Sequence, residues 1–119
     1  MAKKDESSIY IDLQELFKVL YRGQFGCDKR DRIALFNRMM DHNEKCITYF
    51  SLAFDSSDKI HQVEMLVGEF DILKVECRMA IDIEIIKQES LKNQIREYIV
   101  KIQDGIDKWR SYLYSARHE

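Results

Sequence analysis

Histidines and cysteines are the residues of this chain best suited to metal or nucleophilic chemistry, and their spacing favours neither. A metal held between helices needs several converging ligands, such as the paired Glu-x-x-His motifs of di-iron bundles. The chain has no Glu-x-x-His: His61 stands three residues before Glu64, the reverse order, His42 has only Asp41 and Glu44 beside it, and His118 is isolated. Cys27, Cys46 and Cys77 are an odd number, without a Cys-x-x-Cys or other metal-ligand spacing. Gly23–Gly26 lacks the Lys-Ser/Thr and the preceding strand of a phosphate-binding loop. No catalytic residue, metal site or cofactor is predicted, and the chain reads as a non-enzyme.

The remaining chemistry is charge. Lys29, Arg30, Arg32 and Arg38 crowd one stretch, Lys74 and Arg78 are four residues apart, as are Lys92 and Arg96, and Lys101 and Lys108 lie two helical turns apart. Such cations bind phosphates only when gathered on one surface. Solvated salt bridges are the plainer reading, and Asp71 and Asp82 stand ready to pair with Lys74 and Arg78. Net charge is −2 over 119 residues, so no global attraction draws the chain to nucleic acid. Its distribution is uneven: residues 29–54 carry five basic and three acidic side chains, residues 55–86 three and eight, and residues 87–119 seven and five.

Helices must position these charges. Hydrophobic content of 45% with 34% charged residues, no proline and four glycines describes one globular, helix-rich domain over residues 1–119. Apolar residues recurring at three and four predict helices over about 7–22, 29–54, 58–86 and 90–115. Ser7 or Ser8, Asp28 and Asp58 are placed to cap the first three, with Asp12 and Glu15 near the positive end of the first. Short links make neighbours antiparallel. The fold predicted is all-α, an up-down-up-down four-helix bundle. The alternation at Ile81-Asp82-Ile83-Glu84-Ile85 is a rival strand, set aside because it continues a helical pattern.

Two of these helices carry two apolar stripes each, where a surface helix needs one. In 29–54 the first is Ile33, Phe36, Met40, Ile47, Phe50 and Phe54, and the second Leu35, Met39, Cys46, Tyr49 and Ala53. In 58–86 the first is Val63, Leu66, Phe70, Leu73, Cys77 and Ala80, and the second Met65, Ile72, Val75, Met79 and Ile86, with Gly68 among them. One stripe faces the core. The second is expected to face another copy or a partner, which assigns Leu35, Met39, Met65, Ile72 and Met79 to an oligomer interface. In the last helix Leu91, Ile95, Tyr98, Ile102, Trp109 and Tyr112 or Leu113 are expected in the core, with Gly105 marking close packing.

Cys46 and Cys77 lie on apolar stripes and read as buried, reduced thiols of a cytoplasmic protein. The opening Met1-Ala2-Lys3-Lys4-Asp5-Glu6 has no apolar core of a secretory signal, and no apolar run approaches 18 residues, so no membrane association is expected.

The residues also resemble a family. Arg32-Ile33-Ala34-Leu35-Phe36-Asn37-Arg38-Met39 is similar to the second-helix run of Avd-like four-helix-bundle proteins. This group includes the accessory variability determinant of bacterial diversity-generating retroelements and relatives encoded in intervening sequences of ribosomal RNA genes. Asp71-Ile72-Leu73-Lys74-Val75-Glu76-Cys77-Arg78-Met79-Ala80 resembles their third-helix pattern, and Ile102, Gly105 and Trp109 their closing helix. The resemblance covers about Asp28 to Leu113. It implies a homopentameric barrel that binds RNA or DNA and a reverse transcriptase, with phosphate contact at Arg32, Arg38, Lys74 and Arg78. The chain departs from it in being slightly acidic and in having Lys74 where arginine is expected. The function expected is therefore a homo-oligomeric accessory protein that binds nucleic acid or its polymerase. The alternative is a protein-only scaffold that docks a partner helix on a spare apolar face.

Overall fold

The computed structural model describes residues 7–117, and within them the chain is all-helical, without a strand. The readings of residues 1–6 and of His118 lie outside the described residues. Helix α1 spans Ser8–Gly23. A short 3₁₀ turn, Gln24–Gly26, follows. Helix α2 covers 29–55, α3 Lys59–Asp82 and α4 Glu89–Arg117. None is long and apolar enough to cross a membrane.

Local chemistry sets these ends. The Asp28 side chain accepts the Asp31 N–H at 2.9 Å, and that of Asp58 accepts the His61 N–H at 3.2 Å, as capping predicts. Ser7 differs: its backbone is extended but its hydroxyl makes no cap bond, and α1 has no acidic residue in its first turn. Lys59 Nζ closes the other end of α2, donating to the carbonyls of Ala53 (3.2 Å) and Phe54. Helix α3 stops at Asp82, short of the expected residue 86. Glu84 turns left-handed (φ 64°), and Ile86 donates its N–H back to the Ala80 carbonyl at 3.0 Å. This folds Ile86 into the core, 1% exposed, rather than onto the second stripe of α3.

Within α2, Arg32–Phe36 forms a π-helical turn that the sequence did not signal. The wider turn inserts an extra residue into the ladder. It brings the adjacent Leu35 and Phe36 both inward and leaves Ile33 outside.

Helices α1 and α3 each pack between α2 and α4, so they occupy opposite corners. The contacts run antiparallel: Lys59 meets Phe54 while His42 meets Glu76, and Glu64 meets Arg110 while Lys74 meets Gln103. The molecule measures 51 × 22 × 22 Å. Its core is built on Phe36, Phe50, Phe70, Leu13, Leu66 and Ile102, with Ile95 and Ile106 from α4. Trp109 is half-buried, its ring 5.1 Å from that of Phe50, and of the two alternatives beyond it Leu113 packs against the core while Tyr112 is exposed. Gly105 marks the expected close approach, since a Cβ there would lie 2.8 Å from Ile9 Cγ1.

Candidate functional site

The five residues assigned to an oligomer interface separate into two groups. Leu35 and Met39 are 8% and 0% exposed and belong to the chain's own core, which corrects their assignment. The reason is geometric. Each residue of an α-helix turns by about 100°. The second stripe of α2 is the first displaced by one residue, so the two form one broad apolar arc. Helix α2 fills that arc with its neighbours α1 and α3.

On α3 the second stripe is displaced by two residues, about 200°, and points away from the core. Met65, Ile72 and Met79 are all between 40 and 50% exposed, and Val75 and Ile83 more so. Nothing lies within 4 Å of a Cβ built on Gly68, in the middle of this strip. Five large apolar side chains on one line form a contiguous outward face, which is the surface signature of an interaction site.

The basic residues do not converge as a set. Arg38 is exposed on α2, and Arg32 is half-buried with its Nε enclosed and unbonded. Lys74 is engaged within the chain. It pairs with Asp71 at 3.1 Å, donates to Gln103 and lies over the Phe70 ring. Arg78 is exposed and lines a cleft of about 360 Å³ between α3 and α4, together with Lys74 and Arg96. Its lining also includes the apolar Ile81, Ile95 and Ile99 and the acidic Asp82, and neither Arg32 nor Arg38. Arg96 joins Arg78 only through the packing of two helices. Its one signal in sequence was its i, i+4 spacing from Lys92.

His42 acquires partners that its sequence neighbours did not suggest. Its Nδ1 lies 2.6 Å from Glu76 Oε1 and its Nε2 3.9 Å from Glu69 Oε1, both across the α2–α3 groove. Glu69 Oε1 and both amide atoms of the fully buried Asn43 make no hydrogen bond. Among the described residues no group of three or more His, Cys, Asp or Glu is placed to hold a metal. Cys46 and Cys77 are buried and unpaired. Burial pushes both thiols up, Cys77 to about 12, so neither forms a thiolate near neutral pH.

Comparison with known protein families, curated proteins and solved structures finds no match. The functional reading therefore rests on this chain's own residues.

Proposed function

We propose that this chain is a non-enzymatic accessory protein of the cytoplasm, an up-down-up-down four-helix bundle that works as a homo-oligomer. The exposed strip Met65–Ile72–Met79 on α3 carries this reading. A single chain that leaves four large apolar residues of one helix, and Ile83 just past its end, in water gains by covering them. The Avd-like resemblance supplies the number, a pentameric barrel, and the cargo, RNA or DNA together with a reverse transcriptase. Arg38 and Arg78 are the exposed members of the phosphate-binding set that the resemblance implies. Repetition around an axis would multiply these sparse cations into a patch.

The test is mass in solution by light scattering after gel filtration, at low and high salt, followed by titration with structured RNA. The reading expects a fivefold mass that survives salt, because the contact is apolar, and RNA binding that weakens steeply with salt. A monomer at every concentration would sink the assembly. RNA affinity weaker than about 100 μM at low salt, below the usual non-specific range, would sink the nucleic-acid role.

The second reading is a protein-only adaptor. The engagement of Lys74 with Asp71 and Gln103 favours it, since that cation is already satisfied within the chain.

A further inference from the structure

A cleft opens between α3 and α4, which pack less closely than α2 and α3 do. Its walls are built from pairs of adjacent residues, Cys77–Arg78 and Ile81–Asp82 on α3, Ile95–Arg96 and Ile99–Val100 on α4. Adjacent residues of a helix point about 100° apart, so one member of each pair turns toward the neighbouring helix and the next toward solvent. Burial follows that rule. Cys77 and Ile95 are 2% and 0% exposed and Ile81 and Ile99 half-buried, while Arg78, Asp82, Arg96 and Val100 are exposed. The cleft is therefore apolar at depth and charged along its rim, and its 360 Å³ is the scale of a small-molecule site.

The rim cations are unpaired. Among the described residues neither Arg78 nor Arg96 forms an ion pair, and Asp82, although it lines the same cleft, pairs with neither. Lys74 is the exception, matched by Asp71 at 3.1 Å and donating to Gln103 across the cleft. That contact sets the antiparallel register, which brings Arg78 level with Ile99 and Arg96 level with Ile81. The two arginines thus stem from opposite walls, about one helical turn apart. Two unpaired guanidinium groups against one carboxylate leave one positive charge in excess, which matches a monoanion. The guanidinium fork fits a carboxylate in particular.

We propose that this cleft binds a single-chain aliphatic carboxylate, its tail laid along Cys77, Ile81, Ile95 and Ile99 and its head held at the rim by Arg78 and Arg96. The site goes beyond the assembly and nucleic-acid readings and depends on neither. An inorganic anion satisfies the arginines but leaves the apolar wall wet. An uncharged tail covers the wall but leaves the guanidinium groups without a counter-charge. An amphipathic monoanion uses both. Nucleic acid fits less well, because Asp82 stands among the cations and the depth of the cleft offers aliphatic side chains and the Cys77 thiol.

Calorimetric titration of the full chain with hexanoate, octanoate and decanoate, all below micelle formation, tests this, with amide-resolved NMR of the decanoate complex. One carboxylate per chain is expected, with affinity rising about two- to fourfold per added methylene as apolar surface is covered. Amide shifts should be confined to residues 74–82 and 95–100. Decanol and decylamine should bind about tenfold more weakly than decanoate, having no charge-assisted bond to the arginines. Arg78→Gln and Arg96→Gln, both at exposed positions, should each weaken decanoate by about the same factor with melting unchanged. Either one suffices if the other melts early, and Arg38→Gln on α2 should have no effect. Equal binding of decanol, or binding unchanged in both arginine variants, would overturn the proposal. So would several ligands per chain with shifts at Met65, Ile72 and Met79, which is adsorption to the outer face of α3. Decanoate that leaves the cleft unmoved would overturn it as well, including the case where structured RNA or an acidic amphipathic peptide shifts those amides instead.

Discussion

Helices α2 and α3 carry the same double-stripe pattern and use it oppositely. In α2 the members of the second stripe precede those of the first by one residue, as Met39 precedes Met40 and Cys46 precedes Ile47. In α3 they follow by two, as Ile72 follows Phe70 and Met79 follows Cys77. At about 100° per residue the first offset widens one face and the second creates two opposite faces. Met39, Cys46 and Ala53 are fully buried, while Met65, Ile72 and Met79 are exposed by about half. The lesson is that counting stripes is not enough. Their offset says whether one molecule can use both.

The largest expected effect separates two methionines. Met39→Ala should cost about 2–5 kcal/mol of folding stability, the range for truncating a fully buried side chain. Met79→Ala should change the stability of the dissociated chain by less than about 0.5 kcal/mol, as at an ordinary surface position. Urea unfolding at low protein concentration compares them. Equal effects would erase the distinction between the two stripes.

Two glycines sharpen the contrast at the next scale. Gly105→Ala places a Cβ 2.8 Å from Ile9 Cγ1, a branch atom of a buried side chain that has little room to yield. Overpacking of about 1–3 kcal/mol opposes a helix-propensity gain of about 1 kcal/mol, and the result should be destabilising. Gly68→Ala meets no neighbour and should stabilise the dissociated chain by up to about 1 kcal/mol. Thermal melts of both variants read the sign directly.

The smallest effect is electrostatic. The hydrogen bond from Arg110 holds the Glu64 carboxyl below its ordinary value, with the Coulomb attraction of the same guanidinium adding to it against some desolvation. A carboxylate lowered in the fold contributes stability above its unfolded value and loses it as pH falls through the lowered one. Arg110→Gln should therefore cost a little at neutral pH and nothing in acid. Unfolding curves at the two pH values check it, and a loss that persists in acid would mean that Arg110 acts through packing.

Much of the fold was legible because its causes are local. Asp28 and Asp58 cap as their positions suggest, Gly105 marks a close approach, and the inward stripe of α3 is buried throughout. The π turn at Arg32–Phe36 and the left-handed Glu84 were not legible, because neither residue type demands that backbone. Partnerships were the least legible. The histidine and carboxylates of the α2–α3 groove, and Lys74 with Gln103, meet only because two helices pack side by side. Met39 was misassigned although its one-residue offset from Met40 marks a single broad face, whereas Leu35 turns inward beside Phe36 through the π turn.

The central claim, that the outer face of α3 is covered in an assembly while the second stripe of α2 is not available for one, reduces to which methionines water can reach. Brief peroxide oxidation followed by mass spectrometry, over a dilution series, measures this directly. The account predicts that Met39 stays protected at every concentration, while Met65 and Met79 are protected in concentrated samples and react as dilution separates the copies. Full reactivity of Met65 and Met79 at the highest concentration, or ready oxidation of Met39 in the folded chain, would contradict it.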